Sequence, residues 1–195
     1  MNIFKLSILI VTSFVVSTCS NDQALRTKAN ELAHKFIITD GHIDTPWKLS
    51  KNYEDISLRT KTGDFDYVRA KEGGLDVPFM AIYIPSSYLE TGGAKEKADS
   101  LIDMVEQIAD KDPDKFEIAY SLADANRIFK EGKVALPMGM ENGAGIEDDI
   151  NNLKHFYDRG IRYITLTHSK DNLICDSSYD EEEDTWGGLS PYGRK

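Results

Sequence analysis

Four chemically capable side chains stand where apolar runs of this sequence end. His42 and Asp44 lie in Asp40-Gly41-His42-Ile43-Asp44-Thr45-Pro46-Trp47, directly after Phe36-Ile37-Ile38-Thr39. Glu141 closes the run from Val134 to Met140, and His168 follows the run from Arg162 to Thr167. Side chains of a strand alternate with a period of two, so His42 and Asp44 point to one side. An imidazole and a carboxylate held together at a strand's end are ready ligands for a divalent cation. Taken alone, His42 could equally satisfy a loop hydrogen bond, and Asp44 could cap a helix beginning near Pro46. Glu141 is harder to explain structurally, because a carboxylate ending so apolar a run must be hydrogen-bonded, paired or bound to metal.

The elements that must position these groups follow from periodicity. Leu25, Ala29, Leu32, Ala33 and Phe36 recur at helical spacing and lead into a short buried strand over Phe36–Thr39. Lys48 to Gly73 reads as a long polar loop with one helical turn, and Val77 to Ile84 as a strand buried on both faces. Gly92-Gly93 opens a helix with the apolar stripe Ala98, Leu101, Ile102, Val105, Ile108 and Ala109, ended by Asp112-Pro113. Phe116 to Tyr120 is a short strand, and Ser121 caps a helix that stops at Gly132. After the Glu141 strand, Asn142 to Gly145 turn the chain. Ile146, Ile150, Leu153 and Tyr157 then make a helix with Gly160 just past its end. Strand–helix units in series with parallel-type strands give an α/β architecture. All four capable residues then fall at the carboxyl ends of strands, the functional edge of a barrel or of an open parallel sheet.

The 195 residues suffice for one substantial core, and 41% hydrophobic with 29% charged residues is ordinary for a globular domain. A net charge of −10 without a basic stripe argues against nucleic acid. The cluster Asp180-Glu181-Glu182-Glu183-Asp184 reads as a solvated loop, since consecutive acids cannot all face one ion. Met1 to Lys5 supply a positive start, and Leu6 to Val16 an apolar core too short to span a bilayer. Val16-Ser17-Thr18-Cys19 then resembles a bacterial lipoprotein signal with Cys19 acylated, which divides the chain into a signal (1–19) and a domain (20–195). The alternative is an ordinary secretory signal cut nearby, and both readings export the protein. Cys175 is left as a lone thiol, so no disulfide forms within one chain.

The motifs together resemble the membrane (renal) dipeptidase family of zinc peptidases. Asp40 to Trp47 is similar to its opening motif, and Gly139-Met140-Glu141-Asn142-Gly143 to its second. Gly160 to His168 with Asn172 is similar to its third, and Gly187 to Gly193 to a segment before a further strand. The resemblance implies the amino-terminal part of a (β/α)8 TIM-type barrel, truncated before closure. It implies two zinc ions, with His42 and Asp44 on one, Glu141 bridging both, and His168 contacting substrate, so that Glu141 and His168 are the catalytic residues. The implied substrate is a dipeptide, with a D-residue at the carboxyl end tolerated in many relatives. Anchoring to a membrane would run through lipid at Cys19, and a homodimer stays open. Two further histidines expected for the second zinc belong beyond Pro191 and are absent here, so this chain alone is expected to be inactive. His34 and His155 lie on helices outside the motifs and do not fill the gap.

Two other readings compete. One is an exported, non-catalytic binding lipoprotein with a degenerate barrel site. The other is a different metal-dependent amidohydrolase, against which Asp44 counts, because such enzymes usually begin with His-x-His.

Overall fold

The computed structural model describes residues 22–180 and 184–195. The signal-like segment with Cys19, and Glu181 to Glu183 of the acidic run, lie outside the described residues. The chain divides into two units, Met1–Ile37 and Ile38–Lys195. In the first, residues 22–35 form helix α1, whose His34 Nδ1 lies 2.9 Å from the Asn30 carbonyl oxygen one turn earlier. Among the described residues no helix is long and apolar enough to cross a membrane.

The second unit is built on a parallel sheet in the order β1 (Thr39–Ile43), β2 (Val77–Tyr83), β5 (Met138–Glu141) and β6 (Ile161–Thr165). Strands β3 (Phe116–Ile118) and β4 (Val134–Leu136) form a separate parallel pair. Helices α2 (Thr45–Lys51), α3 (Tyr67–Gly73), α4 (Tyr88–Thr91), α5 (Ala94–Lys111), α6 (Leu122–Lys130) and α7 (Asn151–Asp158) lie between the strands. Right-handed strand–helix crossovers that keep chain order across a parallel sheet are the working part of a (β/α) barrel.

The core sits where the sequence places it. Every residue of the α5 stripe is buried, with Met80, Ile82, Met138 and Met140 of β2 and β5 fully enclosed. Alternation then sends Phe79, Tyr83, Gly139 and Glu141 to the opposite face, where the capable residues gather. Pro137 divides what the sequence reads as one strand into β4 and β5, since it has no N–H to donate, although its carbonyl still accepts from Met80 N–H at 2.8 Å.

Several expectations need correction. The strand predicted over Phe36–Thr39 starts only at Thr39, and its residues are exposed apart from half-buried Ile43. Among the described residues β2 is its one neighbour, so it stands at the sheet's edge with its backbone and side chains open to solvent. The stretch Lys48–Gly73, read as mostly loop, contains the end of α2 and all of α3. Each of these helices has seven residues, too few for a periodicity to stand out, and both are fixed by local chemistry. Pro46 occupies the first turn of α2, and the Asp66 side chain caps α3 by accepting from Arg69 N–H at 2.8 Å. Helix α7 begins at Asn151 rather than near Ile146, because Gly143–Ile146 forms a 3-10 turn. Its stripe Ile150, Leu153 and Tyr157 is exposed, and Phe156 is the residue it buries.

Candidate metal centre

Each capable side chain is aimed by a local device. In β1 the Asp40 carboxylate accepts from the His42 N–H at 3.0 Å, and the pairing with β2 slips between Asp40 and Ile43. Such a bulge re-aims the residues it contains. Asp44 is the N-cap residue of α2, but its side chain makes no cap hydrogen bond, which leaves the carboxylate free for other partners. Glu141 ends β5, level with Tyr83 of β2 and Thr165 of β6.

His168 stands three residues past β6, not at its last position as the sequence suggests. Buried Asn142 and Asn172 bring it back. Asn142 adopts a φ of 80°, a conformation that asparagine tolerates better than most side chains. Its amide donates to the Ile84 carbonyl at 2.9 Å, and its carbonyl oxygen accepts from Ala144 N–H and from the Asn172 amide, each at 3.1 Å. The Asn172 amide also donates to the Leu166 carbonyl at 2.7 Å, tying the chain after β6 to the end of β5.

The result is convergence. His42 Nε2 lies 3.2 Å from Glu141 Oε2 and 3.5 Å from Asp44 Oδ1, and one ligand atom from each residue falls within 4.8 Å of the others. His168 Nε2 lies 3.3 Å from the other oxygen, Glu141 Oε1. Donors around a tetrahedral zinc, at about 2 Å each, sit about 3.3 Å apart, which is the spacing His42 keeps to both carboxylates.

The protonation pattern points the same way. The Tyr163 hydroxyl donates to the Gly41 carbonyl at 3.0 Å, so its oxygen is free to accept from His42 Nδ1–H at 3.1 Å. With the proton on Nδ1, the Nε2 lone pair faces two carboxylates. A cation lying between them, whether a metal ion or a second proton on Nε2, makes that arrangement favourable. Tyr163 reaches His42 by lying across β5, where Gly139 offers no Cβ, and any side chain at that position would collide with the ring. Burial, and then the charges of Glu141 and Asp44, push the Tyr83 and Tyr163 hydroxyls above the ordinary tyrosine range. His168 Nδ1 is buried with no hydrogen-bond partner among the described residues, and its ring meets the Tyr83 ring edge-on at 5.1 Å. One nitrogen and two carboxylates, with the other ring nitrogen held by Tyr163, therefore fit a zinc-like cation.

Sequence reasoning missed Tyr163, Tyr83 and Gly139. A glycine inside an apolar strand was the available signal, since it marks close approach of another group. His155 does lie away from the cluster, 2.7 Å from Asp99.

A family model described as membrane dipeptidase, peptidase family M19, matches residues 26–195. The chain is 28% identical over 193 residues to dipeptidase ataJ of Aspergillus terreus, covering 91% of this chain and 46% of that protein. It is 32% identical over 168 residues to dipeptidase tcpJ of Claviceps purpurea, covering 80% of this chain and 39% of that one. Among solved structures it resembles the probable dipeptidase PvdM from Pseudomonas aeruginosa, with a TM-score of 0.76 at 26% identity over 88% of this chain and 46% of the other. A metallopeptidase of Rhodobacter sphaeroides, liganded with a phosphinate mimic of the dipeptide L-Ala-D-Ala, shares the fold at a TM-score of 0.69 and 23% identity, over 82% of this chain and 54% of that one. The chain thus spans about half the length of the relatives it matches.

Proposed function

The chain belongs to the membrane dipeptidase family, peptidase family M19, and on that premise we propose that it carries the first half of a zinc-dependent dipeptide-hydrolysing centre. The observation that carries this reading is His42 Nε2 placed 3.5 Å from an Asp44 oxygen and 3.2 Å from a Glu141 oxygen, with Nδ1 against the Tyr163 hydroxyl. His42, Asp44 and Glu141 would hold the zinc, and a bound zinc supplies an acidified water and polarisation of the scissile carbonyl.

The chain's own residues do the rest. Tyr163 keeps the proton on His42 Nδ1, so that Nε2 stays a ligand. Glu141 Oε1, turned toward His168, accepts the proton that the attacking water gives up. His168 Nε2–H, half-buried beside Glu141 Oε1, donates to the oxygen on which negative charge grows. Tyr83 holds the His168 ring in place edge-on and keeps water from one side of it.

These residues support one firmly held ion. A second ion would find Glu141 Oε1 and His168 but, among the described residues, no further histidine, since His34 and His155 bond elsewhere. The chain by itself therefore binds zinc without efficient turnover. Purified residues 20–195 with excess zinc should hold one metal per chain and hydrolyse Ala-Ala no faster than a zinc-only blank. Two tightly held zincs with clear turnover would overturn the proposal. The apolar core Leu6–Val16, followed by the small-residue stretch that ends in Cys19, supports export and a lipid anchor.

A further inference from the structure

We propose that Lys51, Lys97 and Trp47 form a subsite for the side-chain carboxylate of an acidic residue in the substrate. The inference rests on the dipeptidase reading and goes beyond it by naming a substrate class. Lys51 stands one turn after Trp47 on α2, and Lys97 reaches the same indole from α5. Their ammonium groups lie 4.2 Å and 5.2 Å from the centre of the Trp47 ring.

Two like charges have been gathered against one indole and line one cavity, although the chain carries a net charge of −10 and carboxylates are plentiful. Nearby lysines are paired. Lys48 sits 2.9 Å from Asp64, and Lys95 sits 2.6 Å from Asp99. Among the described residues neither Lys51 nor Lys97 has a carboxylate partner, and the indole is the group that attracts each of them. Burial, and then the charge of Lys51, push the Lys97 ammonium below the ordinary lysine range. An anion placed between the two would relieve that repulsion.

The lysines line a cavity of about 450 Å³ whose other walls include Tyr83, Pro85 and Tyr88. Its position relates it to the metal centre. The Tyr83 ring meets the Trp47 ring edge-on at 5.2 Å and the His168 ring at 5.1 Å, so the cavity opens one aromatic ring beyond the catalytic cluster. The α-carboxylate of a dipeptide stays within about one residue length, roughly 3.5 Å, of the scissile carbonyl. The carboxylate of a glutamate side chain extends farther, toward the cavity lined by Tyr83. The glutamate methylenes would lie along the Trp47 and Tyr88 faces, with the carboxylate between the two ammonium groups.

Calorimetric titration of the chain with Ala-Glu, Ala-Gln and Ala-Ala, with and without zinc, tests this. Ala-Glu is expected to bind about tenfold or more tighter than its neutral isostere Ala-Gln, the gain of charge-assisted hydrogen bonds. Lys51→Met and Lys97→Met should each bring that ratio close to one, and Lys97→Arg should retain it. Equal binding of Ala-Glu and Ala-Gln would overturn the subsite, as would a preference untouched by both methionine variants. So would an equal loss for all three peptides, which would assign the lysines to the α-carboxylate. Failure of the dipeptidase reading looks different: zinc would then strengthen the binding of none of the peptides, while a lysine-dependent preference for Ala-Glu would still support the anion subsite.

Discussion

Tyr163 decides which nitrogen of His42 is available. Its hydroxyl is a single atom between Gly41 and His42, so Tyr163→Phe removes the orienting contact while the ring keeps its packing against Phe79 and over Gly139. Loss of such a supporting group typically lowers metal affinity about 10–100-fold. Competition with a chromogenic chelator should show that loss, with a thermal midpoint close to that of the unchanged protein. Equal affinity in both proteins would remove Tyr163 from the account. His42, Asp44 and Glu141 were legible in the sequence because their types and their places at the ends of apolar runs are local properties. Tyr163 was not, since nothing local distinguishes a tyrosine that packs from one that orients a histidine in another strand. The displacement of His168 beyond β6 was equally hidden, because it depends on the Asn142–Asn172 contact between two separate loops.

Among the elements, α3 shows how a short helix survives in a polar stretch. Asp66 is fully buried at its N-cap and accepts from Thr60 N–H at 3.1 Å and Arg69 N–H at 2.8 Å, with the Arg69 guanidinium alongside. Burial alone would push the Asp66 carboxyl up, but the Arg69 and Thr60 N–H groups, the Thr60 hydroxyl and the Arg69 charge together hold it below the usual range. Asp66→Ala should cost about 3 kcal/mol in urea unfolding at neutral pH, the order expected for breaking a buried pair. The pH dependence has a definite sign. Asp55, hydrogen-bonded by Lys111 and Ser57, is lowered from 3.8 to about 2. A carboxyl depressed on folding contributes stability that is complete above its unfolded value and is lost as pH falls through the folded one. Unfolding midpoints should therefore drop between about pH 4 and pH 2, and Asp66→Ala should drop less steeply. A midpoint flat across that window would contradict the assignment. Helix α5 was legible because eighteen residues carry an uninterrupted stripe. Helix α3 was not, since a cap from Asp66 outweighs periodicity over two turns, and α2 was legible only as a helix start near Pro46. In α7 the apolar spacing was real but faces outward, because Phe156 is the side chain that reaches the core.

The whole molecule owes its site to the order of its strands. A parallel sheet with helices between its strands delivers every strand's carboxyl end to one edge, so residues as distant in sequence as His42 and Glu141 meet there. That logic could be read from the sequence once the strand–helix alternation was recognised. The exposure of β1 could not, because it depends on which strand has neighbours on both sides. Export and anchoring belong to the same scale. In a bacterial host given radiolabelled palmitate, the unchanged chain should take up label and Cys19→Ala should not, and equal label in both would exclude lipid at Cys19. The central claim is that three residues from two strands and a helix start share one ion. It is tested most directly by anomalous diffraction at the zinc edge from crystals of the chain grown with zinc. The account predicts a single strong peak about 2 Å from His42 Nε2, bonded also to Asp44 and Glu141. A peak elsewhere, or none at this cluster under saturating zinc, would contradict it.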